Sequence, residues 1–376
     1  MRRFTIFVAA LSIVLPMTAS AQLSLPPSGD NQKASVTQFI GPVRVTIDYS
    51  SPDVHSPRGE DRRGKIWGEL VPWGFIDEPF GTCTECPWRA GANENTVLTV
   101  SHDVLVEGKP LPAGSYGVFM APGPEEWTLI LSKNHTSWGH YTYDRAEDAL
   151  RVTVTPRKSE YHEWLTYEFT DRRPDRAAVA LKWEDLQVPF TISVPDVTDL
   201  YMAQIWRELR SQRGFQWQNW SSAARWALNA KRLDDAFQFA QNAVGFPFIG
   251  QENFTTLGTL ADVQEARGMV AEAKVTREKA LNHRTAGPNE LHQYARLQLQ
   301  RGNRDEAIRI WQLNAKRHPN QWPVNVGLMR AHSAAGRYRD ALRYARLALT
   351  QAPDDVNRKS LEEAIKTLGE GKDINS

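Results

Sequence analysis

The densest run of chemistry-bearing residues in this sequence is Arg89-Ala-Gly-Ala-Asn-Glu94, which sets a guanidinium, an amide and a carboxylate on one short Gly-containing segment. An arginine fork holds a carboxylate or phosphate at two points. Asn93 can orient a ligand there, and Glu94 can serve as a base or an ion-pair partner. The segment also reads as a clasp, in which Arg89 and Glu94 pair with each other or cap strand ends and Gly91 serves a turn. Asp53 and His55 follow the first long alternating stretch, and with Glu94 they would make an acid–base or metal set, since His and carboxylate ligands suit catalytic zinc. Nothing in their spacing demands it. The candidate ligand-binding residues are therefore Asp53, His55, Arg89, Asn93 and Glu94, with no catalytic residue, metal or cofactor assigned. His135 and His140 flank Trp138-Gly139 and read as loop residues. No Gly-x-Ser-x-Gly elbow, phosphate loop or dinucleotide fingerprint is present. Ser50-Ser51 has no base that sequence can nominate.

The two cysteines, Cys83 and Cys86, lie in Cys-Thr-Glu-Cys between Gly81-Thr82 and Pro87-Trp88. In an oxidising compartment they read as a small structural disulfide closing a loop. A redox pair is the sharper alternative, but such pairs open a helix whose N-terminus lowers the thiol pKa, and these flanks are loop-like. A zinc site would need two further ligands.

The elements that must position these residues come in two kinds. From Ala34 to Val194 the apolar period is two, as in Val43, Val45, Ile47 and Tyr49, then Leu165, Tyr167 and Phe169, then Val188, Phe190, Ile192 and Val194. Turn signals separate the runs at Glu107-Gly-Lys-Pro, Pro122-Gly-Pro and Arg173-Pro-Asp. The expectation is an all-β antiparallel sandwich or barrel over residues 34–195. Several stretches resemble an exported bacterial domain family of unknown function, DUF2911: Ile47-Asp-Tyr-Ser-Ser-Pro52, Gly64-Lys-Ile-Trp-Gly-Glu-Leu-Val-Pro-Trp-Gly74, Trp88-Arg-Ala-Gly-Ala-Asn-Glu-Asn-Thr96, Leu111-Pro-Ala-Gly-Ser-Tyr-Gly-Val-Phe119 and Glu126-Trp-Thr-Leu-Ile130. Trp183-Glu184 precedes the last strand in the same way. The chain departs from that pattern by inserting Phe75 to Pro87, which carries both cysteines, so the cysteines are not expected to be the family's shared function. The resemblance implies a fold and an exported location but no reaction.

The second half carries an internal repeat. Ala236, Ala273, Ala307 and Ala341 each follow a turn and an acidic residue, at intervals of 37, 34 and 34 residues. Gly268, Gly302 and Gly336 occupy the turns, with Lys231 in the first, and Pro319 and Pro353 stop the last two repeats. Trp220, Leu257, Leu260, Ala261, Leu291, Tyr294, Ala295 and Leu328 fill the first helices, and Ala240, Ala243, Ala280, Trp311, Ala345 and Ala348 the second. This resembles the tetratricopeptide repeat (TPR) family, which implies an all-α solenoid over residues 215–370 with a capping helix after Asp354 and a concave face for a protein or peptide partner. Residues 196–214 read as a connecting helix. Trp206, Trp217, Trp220 and Trp226 near this join read mostly as core.

The ends and the charge bound the setting. Arg2-Arg3, the apolar stretch Phe4 to Leu15, and Ala19-Ser-Ala21 have the order of an export signal. The apolar stretch is too short for a membrane span, which takes roughly 20 residues. The expectation is a signal over residues 1–21, cleaved near Ala21, a linker over 22–33, and a periplasmic or secreted protein without stable membrane insertion. The net charge of +1 gives no sign of nucleic-acid binding. The leading reading is an envelope binding or scaffold protein working through its repeats. The rival is an enzyme or ligand-binding domain for a small polar or carbohydrate substrate at Arg89, Asn93 and Glu94.

Overall fold

The computed structural model describes residues 31–56 and 58–375; the export signal and most of the expected linker lie outside them. The chain forms two compact units that divide at Val197 and Thr198.

Among the described residues the first unit has ten strands: β1 (Gln32–Ile40), β2 (Val43–Ser51), β3 (Thr96–Val100), β4 (Val104–Val106), β5 (Lys109–Leu111), β6 (Gly114–Ala121), β7 (Trp127–Ser132), β8 (Asp148–Val154), β9 (Arg157–Thr170) and β10 (Arg176–Ser193). β1 opens at Gln32, two residues inside the stretch read as linker. They make a six-stranded sheet, ordered β1-β2-β3-β6-β7-β8, and a four-stranded sheet, ordered β5-β4-β10-β9, and every pairing is antiparallel. The alternation in the sequence is the burial pattern: Val43, Val45 and Ile47 of β2 are buried, as are Leu165, Tyr167 and Phe169 of β9 and Val188, Phe190 and Ile192 of β10. The two inner faces meet where Tyr49 of β2 packs edge-on to Tyr167 of β9, with ring centroids 4.9 Å apart. β9 and β10 run 14 and 18 residues. Their register shifts on either side of Glu184, a bulge that changes how the strand is aimed.

Between β2 and β3 the chain leaves the sheets for residues 52–95, and this long excursion builds the site described below. It packs around four indoles. Trp67 lies edge-on to Trp127, Trp88 and Trp183 at centroid distances of 5.1, 5.8 and 5.8 Å.

Among the described residues the second unit has ten α-helices: α1 (Val197–Leu209), α2 (Trp217–Asn229), α3 (Leu233–Gly245), α4 (Phe254–Ala266), α5 (Val270–Asn282), α6 (Pro288–Gln300), α7 (Arg304–Arg317), α8 (Trp322–Ala334), α9 (Tyr338–Thr350) and α10 (Asp355–Gly369). α2 to α9 stack as four helix pairs, with α10 against α9. The repeated alanines let the paired helices close up: Ala236, Ala307 and Ala341 are fully buried and Ala273 nearly so. The turns need a left-handed residue, and Gly268, Gly302 and Gly336 supply it at φ +78°, +84° and +71°. Lys231 takes the same conformation at φ +60°. The first repeat therefore keeps its turn geometry without glycine.

α1 packs within this unit, where Trp206 meets Phe239 at 4.5 Å. Of the four tryptophans read as core near the join, Trp220 alone is fully buried; Trp206, Trp217 and Trp226 are half-buried. Their polar ends explain part of this. The Trp206 Nε1 donates to Asp235 Oδ1 at 2.9 Å, and an indole with a polar partner sits at an edge of the core.

Candidate functional site

The Arg89–Glu94 segment is pinned from several sides. Ala90 and Asn93 both have left-handed backbones, at φ +49° and +56°. The Ala90 carbonyl accepts from the hydroxyls of Tyr167 at 2.8 Å and Thr96 at 3.0 Å. The Ala92 amide donates to the Ser50 carbonyl at 3.1 Å. A Cβ on Gly91 would stand 2.5 Å from the Thr96 hydroxyl, so glycine is needed there for close approach. Two left-handed residues in so short a segment turn its side chains to different surroundings.

Arg89 goes to a cavity of about 310 Å³. Its wall includes Asp53, Arg62, Trp88, Arg89, His140 and Trp183, with Val71, Pro72 and Ile76 among its apolar parts. The volume is at the lower end for small-molecule sites, roughly 300–1,000 Å³. One guanidinium N–H of Arg89 donates to the Asn93 carbonyl at 3.1 Å, and its face lies 5.5 Å from the Trp138 ring centroid. No described carboxylate pairs with it. Burial pulls its pKa down, and the Tyr141 hydroxyl acts the other way.

The second cation of the wall is held differently. Arg62 donates to the carbonyls of Val54 at 3.0 Å, Asp53 at 3.0 Å and His55 at 3.2 Å, and lies 3.7 Å from the Asp53 carboxylate. It ties down the loop after β2. His140 places Nε2 3.4 Å from Glu78 Oε2, while its Nδ1 has no hydrogen-bond partner among the described residues. Burial lowers its pKa, Glu78 opposes that, and the nearby Arg89 adds to it. The Trp183 indole is also in the wall and its N–H has no acceptor among the described residues.

The insertion from Phe75 to Pro87 supplies Ile76, Cys86 and Pro87 to this wall. Cys83 and Cys86 are joined in a disulfide. Ile76 and Cys86 exchange both backbone hydrogen bonds, at 3.1 and 2.8 Å, and the amides of Thr82 and Cys83 donate to the Tyr141 carbonyl at 2.9 and 3.1 Å. The disulfide loop thus joins the cavity wall to the loop carrying His140 and Tyr141.

The five candidate residues do not form one constellation. Asp53 and Arg89 share the cavity; His55, Asn93 and Glu94 are not in its wall. Glu94 pairs with Lys33 at 2.9 Å and accepts from the Ser50 hydroxyl at 3.2 Å, and Lys33 holds its carboxyl below the usual range. Asn93 accepts from the Asn31 amide at 3.1 Å. His55 places Nδ1 2.6 Å from Glu163 Oε1, and the same carboxylate takes the Tyr161 hydroxyl at 2.6 Å. That bond to Glu163 raises the His55 pKa. The pairing of Arg89 with Glu94, weighed above as a clasp, is absent among the described contacts; Arg89 is clasped to backbone instead. Arg62, Glu78, Trp88 and Trp183 were not singled out from the sequence as site residues. The signal available was the indole beside each family-like motif, but no pattern marks Arg62, whose partners are carbonyls.

The chain is similar to several TPR proteins of known structure. One is from Parabacteroides merdae, at 14% identity over 41% of this chain, with TM-score 0.30. This chain covers 60% of that protein's length. A thermophilic TPR protein from Thermus thermophilus is 17% identical over 45% of this chain and 90% of its own, with TM-score 0.30. YrrB, described as a TPR protein with an unusual peptide-binding site, is 14% identical over 44% of this chain and 83% of its own, with TM-score 0.28. At these scores the repeat architecture rests on the chain's own helix pairs and turns. No curated protein matches the chain. Residues 31–192, the stretch that holds the Arg89 cavity, match the model of the family described as "Protein of unknown function (DUF2911)".

Proposed function

We propose that this chain is a binding protein of the bacterial envelope, in which the β unit takes a small ligand in the Arg89 cavity and the helical repeats engage a protein partner. The observation that carries this reading is an aromatic-walled cavity whose Arg89 lacks a carboxylate partner. Taking a cation even partly out of water is costly unless an opposite charge pairs with it, and the half-buried Arg89 stands in the cavity wall with only neutral partners. The wall's other charged groups, Asp53 and Arg62, are engaged with each other and with backbone. A fragment mixture is expected to move the indole NMR signals of Trp88 and Trp183 and to leave that of Trp220, in the other unit, in place. A screen in which Trp220 moves as far as the other two would remove the cavity from consideration.

The partner half of the reading rests on the hollow along the first helices of the later repeats. It has a volume of about 550 Å³ and is lined by Arg296 of α6 and Arg330 of α8 together with residues of α10. The Nε of Arg330 has no partner among the described residues. Deleting residues 215–376 is expected to abolish recovery of a partner from envelope extracts, and unchanged recovery would sink the claim. The envelope location rests on the order Arg2-Arg3, apolar stretch, Ala19-Ser-Ala21.

A further inference from the structure

We infer that the ligand of the β-unit cavity is a small ring-bearing monocarboxylate, held by its carboxylate on Arg89. This rests on the cavity being a ligand site, and adds the class of ligand.

The charge in the wall sets the sign. Asp53, Arg62 and Arg89 are its charged residues. Arg62 is matched by the Asp53 carboxylate at 3.7 Å and by three carbonyls. Arg89 has one carbonyl, one aromatic face and the Tyr141 hydroxyl, none of which carries a full negative charge at neutral pH. His140 is turned to Glu78, which stands outside the wall. One positive charge is left over, so one negative charge on the ligand completes the site. A planar guanidinium matches a carboxylate at two points, which favours a carboxylate over a spherical ion.

The rest of the wall sets the body. Val71, Pro72, Ile76 and Trp88 present apolar surface. The half-buried Trp88 ring is backed by the buried Trp183 ring at 6.3 Å with 16° between their planes, and the flat surface that Trp88 leaves open suits a flat or chair-shaped ring. The Trp183 N–H and the His140 Nδ1 are buried polar atoms without partners among the described residues. Such atoms are few in native proteins and each calls for a partner. Oxygen substituents on a ring would supply them. A cavity of about 310 Å³ has room for one such ring and little more.

Two sources share this chemistry, a sugar acid and an aromatic acid. The test titrates the full-length protein with glucuronate and with 4-hydroxybenzoate, each against its neutral counterpart, glucose and 4-hydroxybenzamide, using ligand-observed NMR and calorimetry. At least one acid is expected to bind about 10-fold or more tightly than its neutral counterpart, the size of a charge-assisted two-point contact. Arg89→Met is expected to erase that preference. The arm that binds identifies the source. Because the acid and amide are compared on the unaltered protein, the result stands even if Arg89→Met folds poorly. Neutral compounds binding as well as the acids, with the Trp88 and Trp183 signals moving, would overturn the carboxylate and leave the cavity as a ligand site. No binding by any of the four would overturn the ring-bearing carboxylate, and a fragment screen that also left Trp88 and Trp183 unmoved would remove the cavity with it.

Discussion

Trp127→Ala is expected to cost the β unit about 3–5 kcal/mol, the usual range for removing a buried tryptophan. Trp127 opens β7, a strand paired on both sides, and is 1% exposed. Its ring meets Trp67 at 5.1 Å and Trp88 at 6.4 Å. The cost depends on how far the surroundings collapse into the space left behind. Here they are held: Trp67 is braced by Trp183 and Trp88, and the Trp88 backbone exchanges two hydrogen bonds of 2.8 Å with Met120 of β6. Interlocked indoles have few other rotamers to adopt, so the void should persist. A loss of this size is a large share of a domain's net stability, about 5–15 kcal/mol. Native-state hydrogen exchange of the full chain reads each unit separately. Protection should fall across β6, β7 and β8 and stay unchanged in α2 to α9. Trp138, 61% exposed, is the control, and its alanine variant should lie within about 0.5 kcal/mol of wild type. A Trp127→Ala loss below about 1 kcal/mol would mean that the indole cluster closes over the gap.

The legibility of this fold in its sequence differs between the halves for a physical reason. Each repeat solves the same local problems with one residue apiece: alanine for close helix approach, glycine for the left-handed turn, proline for the stop. Local solutions recur at a fixed period, so they can be read off the chain. Even the apparent exception at Lys231 keeps the backbone conformation of its glycine counterparts. In the β half, alternation marked β2, β9 and β10. The division into sheets of six and four strands depends on pairings such as β10 with β4, whose residues Ile192 and Val106 are far apart in sequence. No local pattern encodes that.

The site shows the same divide. Arg89, singled out from the sequence as a candidate ligand-binding cation, does line a cavity, and its residue type narrows what it can do there. Its apparent companions in the segment do not join it, because the left-handed residues at Ala90 and Asn93 send Asn93 and Glu94 to Asn31 and Lys33 instead. His55 finds its carboxylate at Glu163, in β9. Arg62 binds only carbonyls and the neighbouring Asp53. A guanidinium working as a loop clasp looks, in sequence, like any surface arginine.

Acidification is expected to weaken the helical unit through His292 by up to about 3 kcal/mol. His292 lies on α6, 6% exposed. Its Nδ1 has no partner among the described residues, and a Cβ on Gly327 of α8 would come within 3.2 Å of it. The ring borders the hollow that Arg296 and Arg330 also line, but little of its own surface is open to water that could solvate a charge. Burial, and then the like charges of Arg330 and Arg296, push its pKa from 6.5 down to about 4. Between those two values the unfolded chain binds a proton that the folded unit refuses. Stability therefore rises with pH across this window. It is fully present above about pH 6.5 and is lost as the pH falls toward 4, at roughly 1.4 kcal/mol for each unit of pKa difference. His332 and carboxylates such as Glu306 and Asp373 also have lowered pKa values and act in the same direction, so the wild-type slope alone does not isolate His292. The difference between wild type and His292→Leu does. Hydrogen exchange across α6 to α8 at about pH 7 and about pH 4.5 should show a smaller acid-induced loss in the variant, whatever its stability at neutral pH. Equal acid sensitivity in the two proteins would place the buried proton elsewhere.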